Sequence, residues 1–362
     1  MAIYKIYPTK DATLYSAYPS MNTGDDAMLE VYNLFPPENP SPRVARAILD
    51  FDEYQIQDLI NNKIKSGSIP TNDYKTYLKL YVAKAEGISQ DTTLEVRLVS
   101  GSWNNGSGQY LDSPQTTNGV SWLWKENSGS LAWGTEGGDI RLSPGPGFSD
   151  ITQSFDRRTV KDLNVDVTVA TNMIYNDIQN KGTDTYMVKL SGSQEYISSS
   201  SDQPSFKFFS VDTNTIYPPV LEFRWNDFIT SSDAPTEIST SDLEIALDSN
   251  PGIFYSESIN RFRLNVRPKF PVRTYQTASL YTTNFSLPTS SYYAIKDLDT
   301  NEFVVDFDST YTKISNDEQG NFFDIYMNGL EPERNYKILV QTTINNNTLV
   351  MDENYIFKVV NG

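Results

Sequence analysis

The sequence contains no cysteine and no histidine. Those two absences remove disulfide frameworks, zinc sites of the Cys/His kind, and haem or iron–sulfur ligation. They also remove every nucleophilic mechanism that runs through a thiol or a histidine base. Carboxylates, Tyr, Ser/Thr, Lys and Arg are what remains for chemistry, and no cofactor is called for. Basic residues are scarce as well: 29 Lys and Arg face 46 Asp and Glu, a net charge of −17. Neutralising phosphates requires clustered Lys and Arg, so nucleic acid is not the expected partner. No stretch approaches the ~20 apolar residues of a membrane span. The opening MAIYKIYPTK lacks the apolar core of a secretory signal. The expectation is a soluble protein made in a cytoplasm and carried onward, if at all, by another route.

What is abundant is aromatic: 23 Tyr, 18 Phe and 5 Trp in 362 residues. With the many Thr, Ser and Asn, this suits twisted antiparallel sheet with polar turns. Alternation of period two recurs along the chain. It is visible in Ala27–Tyr32, the buried run Ala45–Phe51, Tyr77–Ala85, Leu94–Leu98, Leu163–Val169, Thr185–Leu190, Ser205–Phe209 and Val220–Trp225. Two helices interrupt the strands. Asp52 with Gln55 three residues later forms a capping box, and Ile56, Leu59, Ile60 and Ile64 then make one apolar stripe ended by Gly67 and Pro70. A second helix is expected over Asn172–Asn180, capped by Thr171 and stopped by Gly182. A long irregular segment covers about Ser100 to Ser149. The pattern predicts an all-β fold: a jelly-roll-like antiparallel sandwich with two short helices over 1–226, a polar linker over 227–240, and a second antiparallel sandwich over 241–362.

The second sandwich carries the most specific local signal. Leu330-Glu331-Pro332-Glu333-Arg334-Asn335-Tyr336 has the spacing of the tyrosine corner, in which a phenol bonds back to backbone upstream. With seven alternating segments around it, residues 241–362 read as an immunoglobulin or fibronectin type III-like domain. The first 226 residues resemble DNRLRE-type β-sandwich modules of surface-attached bacterial and viral proteins. The resemblance rests on Asp11-Ala12-Thr13-Leu14, Asn22-Thr23-Gly24, Ala47–Asp52, Trp103-Asn104-Asn105, Val165–Thr168 and Pro218–Phe223, in that order. The segment Ser100–Ser149 is longer than the family's loop. Over most of its length the chain is similar to virion structural proteins of contractile-tailed phages, myoviruses of marine bacteria. The matching segments are MAIYKIYPTKDATLYS, GVSWLWKENSGSLAW, Phe270-Pro271-Val272-Arg273 and NGLEPERNYKILVQ. That resemblance implies a non-enzymatic particle component, located in the virion, contacting other virion proteins in multiple symmetric copies. Neck, baseplate, tail-fibre attachment and capsid decoration are all open to it.

Two clusters stand as candidate contact sites. Trp103, Trp122, Trp124 and Trp133 gather in the irregular segment, near Tyr110 and Lys125. They read either as packing or a protein interface, or as a stacking platform for a host glycan. A glycan- or receptor-binding appendage is therefore the alternative function. Arg261, Arg263, Arg267, Lys269 and Arg273 fall within thirteen positions. They read either as a docking patch for an acidic protein or as the solvated face of a strand whose Phe262, Leu264 and Val266 point inward. Asp297-Leu298-Asp299-Thr300-Asn301 resembles the start of a calcium loop, but Glu302 stands where that loop needs glycine, so a hairpin turn is the expectation. No acidic residue sits in a recognisable active-site motif, and no repeat of β-helix period is visible.

Overall fold

The computed structural model describes residues 2–36, 42–65, 73–88, 92–141, 151–156, 158, 161–177, 184–196, 204–248, 250–271 and 283–362. It is a chain of antiparallel sheets with few helical turns, an all-β sandwich fold. None of the described helices is long and apolar enough to cross a membrane. Close packing divides the chain into two units. One holds Ile6–Asn61 and Lys75–Glu222; the other holds Phe223–Gly362 with Met1–Lys5 and Asn62–Tyr74.

Up to residue 225 the elements are β1 (Ala2–Ile6), β2 (Pro8–Tyr15), β3 (Met28–Leu34), β4 (Arg43–Phe51), α1 (Glu53–Asp58), β5 (Tyr74–Leu80), β6 (Val82–Glu86), β7 (Thr92–Ser100), β8 (Trp124–Glu126), β9 (Leu131–Ala132), β10 (Ile151–Phe155), β11 (Leu163–Asp166), α2 (Thr168–Asp177), β12 (Asp184–Leu190), β13 (Ser205–Phe209) and β14 (Val220–Trp225). The larger sheet runs β10-β7-β12-β4-β3-β13-β6, with β2 also paired to β4. In a second sheet β5 lies between β14 and β11. The run Ala45–Phe51 becomes β4, inside the sheet and buried along nearly its whole length. Tyr77–Ala85 differs from the expectation of one strand. The chain leaves one sheet at Leu80 and enters the other at Val82, with Tyr81 between and its ring 5.2 Å from that of Tyr217.

The first helix starts where the capping box placed it. The Asp52 carboxylate accepts from the backbone N–H of Tyr54 (2.9 Å) and Gln55 (3.4 Å). Ile56, Leu59, Ile60 and Ile64 are all buried, the last three within a π-helical turn, Leu59–Ile64. The second helix starts four residues earlier than expected. Asp166, read as an outward strand residue, accepts from the Thr168 N–H at 3.0 Å and turns the chain into α2. Thr171, expected as the cap, sits one turn inside: its hydroxyl donates to the Val167 carbonyl and lies 2.8 Å from the Tyr186 phenol. Gly67, Pro70 and Gly182 lie outside the described residues.

The C-terminal unit adds β15 (Leu243–Asp248), β16 (Ile253–Tyr255), β17 (Ile259–Pro268), β18 (Ser291–Asp297), β19 (Phe303–Val305), β20 (Ser315–Asp317), β21 (Gly320–Tyr326), β22 (Asn335–Ile344) and β23 (Asn347–Val360). Two sheets, β15-β17-β21-β20 and β16-β23-β22-β18-β19, enclose one core. The strand β16 runs parallel to β23 while its neighbours are antiparallel. This is the arrangement of a two-layer β-sandwich. Aromatic rings fill the interior: Tyr293 stacks on Phe323 at 4.2 Å, and Phe323 on Phe262 at 5.6 Å.

The tyrosine corner is present. The Tyr336 hydroxyl donates to the Glu331 carbonyl at 2.8 Å, and Tyr336 is buried. Residues 227–240, expected as a linker, are instead bonded along the C-terminal sandwich. Ile229 N–H donates to Ser315 Oγ, Asn316 N–H to the Ile229 carbonyl, and Ile238 N–H to the Ser286 carbonyl, which sets Ile238 in the core. Polar turn residues concealed one apolar anchor there, Ile238. At the other end of the sequence, Ile3 packs against the same core and Asn328 Nδ2 donates to the Lys5 carbonyl. Tyr336→Phe should lower the unfolding free energy of this unit by about 1–2 kcal/mol, the value of one buried hydrogen bond. Urea titration followed by the fluorescence of its aromatic core checks this.

Candidate functional site

The irregular chain from 101 to 141 is ordered around one side chain. Asn22 is fully buried; its Nδ2 donates to the carbonyls of Asn105 (2.6 Å) and Val120 (2.9 Å), and its Oδ1 accepts from Gly108 N–H (2.7 Å). Three backbone groups without a ladder thus share one carboxamide, which supplies the partners that buried peptide groups require. Glycine makes the approach possible. A Cβ on Gly24 would lie 2.1 Å from the Asn105 carbonyl oxygen, and one on Gly106 2.3 Å from Asn22 Oδ1.

That scaffold turns the tryptophans inward. Trp103, Trp122 and Trp133 are buried with Leu14, Ile48, Val99 and Met187. Trp103 Nε1 donates to Thr185 Oγ1 and Trp133 Nε1 to the Ser121 carbonyl, both at 2.9 Å. A cation covers each ring: Lys10 over Trp103 at 4.4 Å, Arg46 over Trp122 at 4.8 Å, Lys125 over Trp133 at 5.2 Å. Trp124 is half-buried in the β8–β9 hairpin. The stacking-platform reading is therefore corrected for Trp103, Trp122 and Trp133, which follow the packing alternative: their rings are core and present no face to a sugar. Apolar burial outcompetes exposure, helped at Trp103 and Trp133 by the internal acceptors that their indole N–H groups find.

Beneath this region runs a chain of buried charges that sequence reasoning missed. Arg46 grips Glu195 with two bonds (2.6 and 3.0 Å) and donates to the Gly137 carbonyl. Lys189 bridges Glu195 (3.1 Å) and Glu95 (2.8 Å), and Arg97 closes on Glu95 at 3.2 Å. Arg46, Glu195, Lys189 and Glu95 are all buried. Removing one member would leave an unpaired charge in low dielectric. Burial works against the charge on Glu95, but hydrogen bonds from Lys189 and Arg97 hold its pKa below the ordinary value. Charged residues inside the apolar runs ARAILDF and YMVKL were the available signal. The arrangement positions Gly137 and Trp122; it offers no reacting atom to solvent.

The basic segment of β17 is likewise spoken for. Arg261 holds Asp324 with two bonds of 2.8 Å, and Arg263 holds Asp317 at 2.9 and 2.8 Å. Arg267 pairs with Glu244. The Phe322 ring lies under Arg261 at 4.1 Å and under Arg263 at 5.4 Å. In the β15-β17-β21-β20 sheet the Arg261–Asp324 and Arg267–Glu244 pairs connect neighbouring strands, and the Arg263–Asp317 pair reaches across β21 to β20. Three of the five cations are matched within the sheet. Lys269 is exposed, and Arg273 lies outside the described residues. At the Asp297 turn the carboxylate is held by Arg334 (2.6 and 2.9 Å) and by the N–H groups of Asp299 and Thr300. A guanidinium occupies the place of a metal.

Three described carboxyls depart in the opposite direction, Asp11, Asp26 and, through burial and the neighbouring Asp25, Asp212. Asp11, 1% exposed, has its pKa pushed up to about 7 by burial, although Val211 N–H and Ser210 Oγ donate to it. The nearby Asp212 raises it further. Asp26 is raised to about 6, chiefly by burial. Asp11 ties β2 to the turn after β13 and is too enclosed to meet a substrate.

No family model matches the sequence, and no curated protein matches it. Among solved structures the chain is similar to the β-glucuronidase of Parabacteroides merdae, with 10% identity and a TM-score of 0.17 over 87% of this chain. It spans only 28% of that enzyme's length. A DUF4785 family protein from Legionella pneumophila gives 7% identity and a TM-score of 0.18, over 98% of this chain and 65% of the other. Likenesses this loose carry no argument about fold or activity.

Asn22→Ala should destabilise the N-terminal unit by about 2–4 kcal/mol, since it strands buried donors and acceptors together. Tryptophan fluorescence during denaturant unfolding would report it. Asp11 adds a pH dependence. Its folded pKa lies above the unfolded value, so the folded state binds the proton more tightly and stability falls as pH rises from about 4 to about 7. The melting temperature should therefore be higher at about pH 5 than at about pH 8. Asp11→Asn should flatten that slope, as measured by calorimetry across the range.

Proposed function

We propose that the chain is a non-enzymatic structural component of a contractile-tailed phage particle, working through contacts with other virion proteins. The sequence resemblance over most of the chain is the source of this reading. The observation that supports it best is the burial of Trp103, Trp122 and Trp133 in the chain's own core. With those rings internal, sheet faces and strand edges are what the described residues offer to partners. Edge strands such as β6, β10, β15 and β19 carry unpaired backbone groups that can accept a further strand. Repetition of modest contacts around a symmetric particle multiplies them into stable attachment. The −17 net charge favours solubility before assembly and resists indiscriminate association.

Purified phage particles, banded by density and analysed by quantitative mass spectrometry, should contain the chain in a fixed ratio to the major capsid protein. Immunogold labelling should place it at one repeated position. Absence from washed particles would sink the reading. Retention of the isolated chain on a glycan array, with unchanged retention by Trp124→Ala excluded, would favour the appendage alternative instead.

A further inference from the structure

Glu95 and Asp11 are both buried in the N-terminal unit, on opposite terms. Glu95 has Lys189 and Arg97 for partners. Asp11, on β2, has two hydrogen-bond donors and, among the described residues, no cation. Ser210 Oγ donates to one of its oxygens at 2.7 Å and Val211 N–H to the other at 2.8 Å. Both donors open the connection from β13 to β14, residues 210–219, a surface strap whose Asp212, Asn214 and Thr215 are exposed. Among the described residues, 210–212 make three bonds beyond the strap, and two of them end on Asp11; the third runs from Ser210 N–H to the Ala27 carbonyl at 3.1 Å. Asp212 N–H and Thr213 N–H turn back on Ser210 itself. The start of the strap is therefore held largely by one carboxyl.

The charges that face this carboxyl are of its own sign. Asp212 stands beside it on the strap, and Asp25 beside Asp212. Next in the same turn, Asp26 lies close to Glu30 and Asp112. Lys207 is the nearby cation, and it is shared between Glu30, with which it pairs, and Asp26. Lys10 precedes Asp11 on the opposite side of the pleat and pairs with Asp50 of β4. An ionised carboxylate in such a closed site costs free energy that a counter-charge would offset. A neutral carboxyl keeps both bonds without that cost, accepting from Val211 N–H and sharing its proton with Ser210 Oγ. Burial accordingly pushes the Asp11 pKa up to about 7. We infer that the strap is a proton-operated latch: protonation of Asp11 shuts its Ser210 end onto β2, and ionisation lets that end lift and admit water while the β2–β4 ladder stays whole. The latch needs no partner and stands apart from the virion reading. Tyr217 of the strap packs on Tyr81 and Phe209, with ring centres 5.2 and 5.9 Å away, so lifting bares aromatic surface.

The closed state binds the Asp11 proton more tightly than the open, hydrated state, so opening grows as pH rises from about 4 to about 7 and then levels off. From an ordinary value of 3.8 and a closed value of about 7, opening should become about a hundredfold more favourable between about pH 5 and about pH 8. Hydrogen exchange of the full chain, with rates corrected for the intrinsic pH dependence of amides, reads this directly. The peptide holding Ser210 and Val211 should lose about a hundredfold of protection over that range. At about pH 8 it should exchange at least about tenfold faster than β4, through an opening that about 1 M urea leaves unchanged because little surface is exposed. Asp11→Asn, similar in shape but unable to ionise, should hold that protection level across the range. Should this variant fail to fold, the wild-type curve decides: protection must fall by up to about tenfold per pH unit below about pH 7 and flatten above it. Protection indifferent to pH overturns the latch. So does exchange of the strap in step with β4 at every pH and urea concentration, which would leave Asp11 acting on global stability alone.

Discussion

Buried peptide groups must find hydrogen-bond partners, and between residues 101 and 141 there is almost no ladder to supply them. The carboxamide of Asn22 stands in for one. By bonding Asn105, Val120 and Gly108 at once, it makes an otherwise loop-like segment part of the interior. Everything that follows depends on that: the inward turn of Trp103, Trp122 and Trp133, the cations laid over them, and the enclosure of Arg46 beside Glu195. A loop that fails to satisfy its own backbone has to stay at the surface. This one does not, and so its aromatic residues become core.

The two sandwiches use the same chemical pair, guanidinium with carboxylate, to opposite ends. Inside the N-terminal unit, Arg46, Glu195, Lys189 and Glu95 form a buried relay in which each member is needed because its neighbour is there. Such networks specify one arrangement more than they add net stability. On the C-terminal unit, the arginines of β17 sit at the surface, where each pair is worth little, and their aliphatic stems and planes shield Phe322 instead. Burial therefore decides which pairs shape the fold and which merely finish its surface.

Much of the fold was legible because period-two alternation and capping chemistry act locally. The Asp52 cap, the β4 run and the Tyr336 corner all depend on residues within a few positions of one another. What was not legible depends on distance. That Tyr81 divides one alternating run between two sheets follows from where β13 and β11 lie, not from the run itself. Leu163–Val169 alternates as a strand would, yet Asp166 diverts it into a helix. The tryptophan cluster was visible as a cluster, but its inward direction is set by Asn22, some eighty residues earlier in the chain. Arg46 and Lys189 looked like interruptions of apolar runs; only their meeting in space, through Glu195, gives them a reason.

The placement of Ile3 against a core assembled from residues 238 to 359 has a consequence for how the molecule can be divided. Residues more than two hundred positions apart share one hydrophobic interior. Cutting the gene at the apparent domain border would part Ile3 from the interior it helps to fill, and a polar substitution at that position would register in the unfolding of the C-terminal unit.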